Sequence, residues 1–218
     1  SSDNNTTILT GNISFNNDLG YGIYDSGSSG STTTINGNIA AAGSNSYGVN
    51  LSDSTNHTLI MNGNITSTAG DGIFIQSGKG GGSSGTSITN LGTITSEASA
   101  FDIRNNSSTI ATLNNKQSGL TYKGKVPTNY NIIIRGDADY GQTSFTDVSS
   151  TMTFGIDLTN SGTNIGDKTY QDVLTGIAAS GVLTATSGTS SAASWALAHD
   201  GTNWDLTITG ALSGSYYS

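Results

Sequence analysis

Short runs in which apolar residues alternate with small or polar residues fill the first half of the chain. In LTGNI (9–13), INGNI (35–39) and MNGNI (61–65), an aliphatic residue, a glycine and an isoleucine share one parity. A period of two residues predicts a β-strand with one buried face. Ile, Val and Thr, which dominate these runs, favour strands. No stretch has the 3.6-residue period of a helix, so we expect an all-β fold.

The alternating runs belong to a longer repeat. The glycine of the first motif recurs at intervals of 26, 26 and 29 residues, at Gly11, Gly37, Gly63 and Gly92. A second motif recurs at intervals of 26, 24 and 28 residues, beginning at Gly22, Gly48, Gly72 and Ala100. Repeats of this length indicate a solenoid rather than a globule. The sequence therefore predicts a parallel β-helix with about 26 residues per coil.

Stacking the coils predicts which side chains meet in the core. Equivalent residues in neighbouring coils would lie about 4.8 Å apart. The predicted core columns are Ile13, Ile39, Ile65 and Ile94, and then Ile23, Val49, Ile73 and Phe101. The asparagines of the GNI motif, Asn12, Asn38 and Asn64, would form a ladder with side-chain hydrogen bonds between coils. The Gly/Ser-rich stretch from Gln76 to Ser87 is predicted to be a flexible loop inserted into the third coil.

The repeat is lost from Gln117 onward. We therefore divide the chain into about four and a half coils of parallel β-helix at 1–116 and a β-rich cap at 117–218. Within the cap, two alternating runs flank Asp200-Gly201, which predicts a β-hairpin. Large apolar residues at the end of a solenoid suit a cap, because an open end exposes core and strand edges. The predicted cap residues are Trp195, Leu197, Trp204 and Leu206.

Composition and charge exclude several classes of function for this chain. Only 33% of the 218 residues are hydrophobic and 10% are charged, but the chain has a single proline, which fits a thin repetitive core better than disorder. The net charge is −8 with only seven Lys and Arg, which argues against binding to nucleic acid or anionic lipid. Cysteine is absent, which excludes disulfides and thiol chemistry. No apolar run is long enough for a membrane-spanning helix.

Few residues have the spacing of a reactive site. Asp71 and Asp102 are the acids that lie within or beside the second repeat motif. They occupy different positions within the motif and belong to different coils, so stacking would not place them side by side. His57 and His199 have no partner motif. Hydrolysis of polysaccharides needs convergent charged groups. We therefore expect no enzyme activity, no catalytic residue, no metal and no cofactor.

Other motifs allow two interpretations. The triplet Arg135-Gly136-Asp137 has the sequence of an integrin-type adhesion signal, although chance explains it more simply. Acidic clusters at Asp137 and Asp139, and at Asp200, Asn203 and Asp205, could hold calcium, but turn and strand-edge roles are preferred. The tyrosines Tyr21, Tyr24 and Tyr47 fit either a stacking surface for sugars or a cover for the coil edge.

The C-terminal half resembles a known family. The run TYQDVLTGI and the paired strands SWALAHDGTNWDLTIT are similar to the C-terminal part of autotransporter passenger domains, in particular the vacuolating-cytotoxin-like group. The resemblance covers about 100 residues, and its motifs are loose. It implies a right-handed β-helix, export through the periplasm and outer membrane, and a C-terminal segment that assists folding. It also implies a following outer-membrane barrel, which this sequence does not contain.

These observations predict a non-catalytic, extracellular structural or adhesive module on the bacterial cell surface. Its partner would be a host surface, another cell-surface component or a glycan, and this segment would not insert into a membrane. Two alternatives stay open. The first is a self-assembling filament that stacks head to tail, since the sequence enters its first coil at Thr6 without an evident cap. The second is a β-helix that binds or cleaves polysaccharides.

Overall fold

The computed structural model describes residues 3–76, 83–97 and 99–217. Within these ranges the chain is all-β without a helix and forms a parallel β-solenoid of about six turns, with about 26 residues per coil. The predicted fold class is confirmed. No helix in the described ranges is long and apolar enough to cross a membrane.

Three sheets run along the solenoid axis. The seven-stranded sheet contains, in spatial order, β1 (Thr6–Leu9), β4 (Thr32–Ile35), β7 (Thr58–Met61), β10 (Ser84–Asn90), β13 (Thr109–Asn115), β15 (Asn129–Ile132) and β17 (Thr153–Ile156). The four-stranded sheet contains β2 (Ile13–Phe15), β5 (Ile39–Ala41), β8 (Asn64–Ser67) and β11 (Thr93–Thr95). The ten-stranded sheet contains β3 (Tyr21–Ser26), β6 (Tyr47–Ser52), β9 (Ile73–Gln76), β12 (Ile103–Asn106), β14 (Leu120–Lys125), β16 (Thr143–Ser149), β18 (Lys168–Thr175), β21 (Asn203–Thr209), β20 (Ala193–His199) and β19 (Ser187–Ser190).

The first predicted core column lies in the four-stranded sheet. Parallel pairing joins β2, β5, β8 and β11 in a register that stacks Ile13, Ile39, Ile65 and Ile94. The last three are at most 1% exposed. Burying each such side chain stabilises the fold by about 1.5–3 kcal/mol relative to leaving it in water.

The second predicted column is wrong at its last member. Register in the ten-stranded sheet aligns Ile23 with Val49 and Val49 with Ile73, but Ile73 then pairs with Ile103. Phe101 precedes the strand and is half-buried on the outside. The error has a simple cause: a shift of two residues preserves strand parity, so alternation alone does not distinguish the two alignments.

The asparagine ladder is present as predicted. The Oδ1 atom of Asn12 accepts hydrogen bonds from the backbone N–H (2.9 Å) and side-chain amide (3.3 Å) of Asn38. Asn38 does the same for Asn64, at 3.1 and 3.2 Å. Asn64 Oδ1 then accepts the N–H of Thr93 at 3.0 Å. Each amide therefore joins one coil to the next.

The predicted domain boundary at residue 116 does not coincide with the end of the solenoid. Parallel pairing continues from β13 to β15 and β17, and from β14 to β16 and β18. What ends is the four-stranded sheet, whose last strand is β11. The later coils therefore use two sheets, which explains why the three-strand repeat disappears while the solenoid goes on.

Gln117 terminates the four-stranded sheet. Its Oε1 accepts the N–H of Ile94 at 2.7 Å, and its Nε2 donates to the Ile94 carbonyl at 2.8 Å. One side-chain amide thus takes the place of a paired strand and satisfies the open edge.

Aromatic side chains replace aliphatic ones in the later coils. Tyr122, Tyr130, Phe145 and Phe154 are buried and contact one another, with ring centroids 5.3–6.1 Å apart. The Tyr130 hydroxyl is hydrogen bonded to the Thr143 hydroxyl at 2.8 Å. Large rings thereby fill the interior of the two-sheet coils.

An antiparallel hairpin closes the C-terminal end. Strands β20 and β21 form the hairpin that the Asp200-Gly201 turn predicted, with Trp195 opposite Ile208 and His199 opposite Trp204. Strand β21 also pairs with β18. The ring centroid of Trp195 lies 5.3 Å from that of Phe154, which belongs to β17, the last strand of the seven-stranded sheet. The Trp204 indole N–H donates to the Ile177 carbonyl at 3.0 Å. All four predicted cap residues, Trp195, Leu197, Trp204 and Leu206, are buried.

Among the described residues, no hairpin or other element covers the N-terminal coil. Leu9, Ile13 and Ile23 are only partly buried, whereas their partners in the second coil, Ile35, Ile39 and Val49, are at most 1% exposed. The predicted insertion after Gln76 falls largely on residues 77–82, which lie outside the described residues, and its last residues belong to β10.

Candidate functional site

A ladder of four stacked aromatic rings covers the outside of the first three coils. The ring centroids of Tyr24 and Tyr21 are 5.1 Å apart, those of Tyr21 and Tyr47 are 5.8 Å apart, and those of Tyr47 and Phe74 are 4.9 Å apart. The interplanar angles are 11–25°. The parallel register creates the ladder, because it places Tyr21 beside Tyr47. The ladder lies on the ten-stranded sheet, opposite the core.

The ladder ends at a cleft of about 280 Å³. The cleft lies between the rings and three corners of the chain, which precede β6, β9 and β12. Its lining residues are Asn45, Tyr47, Ala69, Gly70, Asp71, Phe74, Glu97, Ser99, Ala100 and Arg104. One side is therefore aromatic and the other carries ionic and polar groups.

Asp71 and Arg104 form a bidentate ion pair at the base of this cleft. The Arg104 Nε lies 2.6 Å from Asp71 Oδ2, and its Nη2 lies 3.1 Å from Oδ1. The Asp71 side chain is 4% exposed, and its Oδ1 also accepts the N–H of Phe101 at 2.8 Å. Such forked pairs hold the guanidinium in a fixed plane. About a third of the Arg104 side chain stays exposed, and the residue lines the cleft.

Phe101 has an external role instead of the predicted core role. The Arg104 guanidinium carbon lies 5.4 Å from the Phe101 ring centroid, and Lys123 Nζ lies 5.2 Å from it. Both distances suit a cation–π contact. Phe101 therefore contacts the arginine in addition to Asp71.

The electrostatics of the cleft are slightly negative. Arg104 and Asp71 compensate each other. The exposed Glu97 carboxylate accepts a hydrogen bond from the Ser99 hydroxyl and has no ion-pair partner among the described residues. Burial, followed by the nearby Asp71 carboxylate, raises the pKa of the Tyr47 hydroxyl above its usual value. Tyr47 thus stays neutral at physiological pH.

The Arg135-Gly136-Asp137 triplet lies in a tight loop closed by a bridge between Ile134 and Tyr140. The Arg135 guanidinium carbon lies 3.5 Å from the Tyr216 ring centroid, and its Nε donates to the Asn160 carbonyl at 3.1 Å. Asp137 forms an ion pair with Lys168. An adhesive role for the triplet stays a prediction, and these contacts do not favour it.

The other acidic clusters also have structural partners. Asp200 accepts the N–H groups of Thr202 and Asn203 in the hairpin turn, and these bonds lower the pKa of Asp200. Asp139 pairs with Lys116 at 3.1 Å. Asp205 accepts the N–H of Asp172 at 2.8 Å. In the ranges that the structure describes, no three His, Cys, Asp or Glu side chains form a metal-binding group.

Asp102 does not share the cleft chemistry of Asp71. Its Oδ1 accepts the N–H and hydroxyl of Ser96 at 2.9 and 3.0 Å, and its Oδ2 accepts the N–H of Thr121 at 2.9 Å. Both repeat-linked acids thus bond to the segment between β11 and β12, but Asp71 also pairs with Arg104 of β12 and Asp102 also binds Thr121 of β14. The sequence pattern singled out Asp71 but not Arg104. The two residues are 33 positions apart in the chain, which does not match a repeat interval.

Comparisons with known proteins do not assign the chain to a family. No family model, no curated protein and no solved structure matches the chain.

Proposed function

We propose that this chain is a non-catalytic structural and adhesive module on the outside of a bacterial cell. The observation that carries the proposal is the use of polar side chains as links between coils. The amides of Asn38, Asn64 and Gln117 each hold a neighbouring coil or strand edge. A solenoid built in this way is a stiff rod that presents long side surfaces to a partner.

The acidic side chains support a non-catalytic role. Asp71 and Asp102 are buried and hydrogen bonded to neighbouring protein groups, and they line different clefts. Asp25 accepts hydrogen bonds from Ser28 and Ser54 and contacts His57. A glycosidase needs two carboxyl groups that flank one bond, and the partners of these acids favour structure over such chemistry.

The cell-surface location rests on the resemblance of the C-terminal half to autotransporter passengers. A chain without cysteine needs no oxidation step to fold after export. The hairpin at Trp195 and Trp204 closes one end of the solenoid, which is where a segment that assists folding would act.

The filament alternative has one supporting observation and one opposing observation. The partly buried first coil offers strand edges for end-on association. The hairpin covers the C-terminal end, which opposes head-to-tail stacking of the first coil of one copy on the last coil of another. We therefore prefer a rod that works as a single unit.

Surface display tests the proposal. The chain is fused to an outer-membrane anchor in a Gram-negative host, and adhesion to polysaccharide-coated and host-cell-coated surfaces is measured together with the release of reducing sugar ends. We expect adhesion above that of the anchor alone and no release of reducing ends. Release of sugar ends, or no gain in adhesion by a protease-resistant displayed chain, would overturn the proposal.

A further inference from the structure

We propose that the cleft between Phe74 and Arg104 binds a short neutral oligosaccharide. The inference rests on the proposed adhesive function and gives it a ligand class. It treats the aromatic ladder as a support for a binding surface as well as a cover for the coils.

The aromatic side of the cleft is held rigidly. Phe74 stacks on Tyr47 alone among the described aromatic rings, so its second side is not covered by another ring. Tyr47 is fixed in turn by Tyr21 beneath it. Aromatic rings offer a large apolar surface with few rotatable bonds. A ring fixed in this way can receive the C–H face of a sugar without first becoming ordered.

The polar side of the cleft supplies donors and acceptors for hydroxyl groups. The forked pair with Asp71 fixes the Arg104 guanidinium and leaves part of it exposed. The side chains of Asn45 and Glu97 lie at the same cleft. Small-ligand sites combine apolar walls with a few well-placed polar groups, as this cleft does. Its volume of about 280 Å³ suits one or two sugar rings.

The charge distribution selects a neutral ligand. Asp71 compensates Arg104, so the guanidinium attracts an anion only weakly, while Glu97 repels one. A sugar that carries a carboxylate would bring a like charge into the cleft, which lowers affinity. Neutral hexose units avoid this repulsion.

Titration of the purified chain with soluble saccharides tests the inference. The probes are hexasaccharides of glucose and of mannose, with hexagalacturonate as the acidic comparison, followed by calorimetry and by saturation-transfer NMR. We expect a neutral probe to bind with Kd of about 1 mM or tighter and hexagalacturonate to bind more weakly. Absence of binding by both neutral probes would overturn the inference.

Three variants locate the site. Phe74→Leu keeps an apolar side chain but removes the ring, and we expect affinity to fall about tenfold. Tyr24→Ala removes the ring at the far end of the ladder, which does not line the cleft, and affinity should stay unchanged. Glu97→Gln removes the negative charge at the cleft, so hexagalacturonate binding should strengthen relative to binding of the neutral probes. Equal affinity of Phe74→Leu and the parent chain, with matching thermal melts, would place the ligand elsewhere and overturn the inference.

Adhesion separates this inference from the proposed function. If displayed cells adhere but the chain binds no neutral saccharide, the ligand class is wrong and the adhesive function stands. If displayed, folded chains neither adhere nor bind, both proposals fall.

Discussion

His57 and Asp25 form a buried polar contact at the corner between the ten-stranded and seven-stranded sheets. His57 Nδ1 lies 2.6 Å from Asp25 Oδ2, and the buried Nε2 has no hydrogen-bond partner in the described residues. Asp25 occupies the inward position that Leu51 takes in the next coil. An inward charge in the first coil breaks the aliphatic column and disfavours further stacking.

The buried imidazole predicts a loss of stability in mild acid. Burial lowers the pKa of His57, and Asp25 opposes this shift only in part. The unfolded state then binds the proton more readily than the folded state. The neutral His57 imidazole makes its full contribution to stability above about pH 6.5, the pKa of histidine in the unfolded chain. That contribution is lost as the pH falls from there through the lower pKa of His57 in the folded chain. Urea unfolding between pH 7.5 and pH 5 should show this decrease.

The matched variant for the pH experiment is His57→Gln. It removes the titrating group, so its unfolding free energy should change less with pH than that of the parent chain. His199→Gln, which changes the half-buried histidine next to Trp204, serves as the control because it retains His57 and should therefore retain the loss of stability in mild acid. Identical profiles for His57→Gln and the parent would contradict the prediction.

At the scale of the strand motif, the repeated glycine is set by contact between coils. A Cβ on Gly37, Gly63 or Gly92 would lie 1.8 Å from the carbonyl oxygen of the equivalent glycine in the preceding coil. A Cβ on Gly11, which has no described coil beneath it, would have no atom within 4 Å. The glycine therefore permits close stacking on the coil before it.

This contact predicts different costs for the same substitution at two repeat positions. Gly63→Ala should lower the free energy of unfolding by about 3 kcal/mol, the upper end of the usual cost of overpacking, because the backbone of one coil must move. Gly11→Ala should change it by less than about 0.5 kcal/mol, as at an unconstrained surface site. Chemical denaturation of both variants measures the difference, and equal effects would mean that the motif glycine is not a stacking residue.

The C-terminal hairpin predicts that its tryptophans stabilise the whole rod. Trp195 is 8% exposed and packs on Phe154. Trp195→Ala should cost about 3–5 kcal/mol, as for other buried aromatic residues. Tyr217→Ala, at a side chain that is 82% exposed, should be nearly neutral. Thermal unfolding followed by circular dichroism compares them, and a neutral Trp195→Ala would show that the hairpin does not function as a cap.

The sequence predicted the strands, the coil length and the hairpin because each depends on local alternation or on a turn motif. It failed where the information was not local. Phe101 and Ile103 share parity, so only the pairing with Ile73 decides which enters the core. Loss of the GNI motif at Gln117 indicated a new domain, whereas one sheet ended and the solenoid continued. The cleft was missed because Asp71 and Arg104 meet across coils outside the repeat interval.

At the scale of the whole molecule, the two ends of the solenoid differ. One end is closed by the hairpin of β20 and β21, and the other leaves Leu9, Ile13 and Ile23 half-buried. Stability in a solenoid comes from contacts between neighbouring coils. A coil with one neighbour therefore has about half of the interface of an internal coil.

This difference predicts a gradient of hydrogen exchange along the rod. Amides of β3 should exchange at least tenfold faster than those of β9, because the first coil can open without disturbing its neighbours. Peptides from β21 should be as protected as the internal coils, because the hairpin pairs with β18 over five register positions. Exchange of the intact chain, measured by mass spectrometry at two protein concentrations, tests both statements. Slow exchange of β3 that becomes slower at high concentration would mean that a second copy covers the first coil, which would favour end-on association over a rod that works alone.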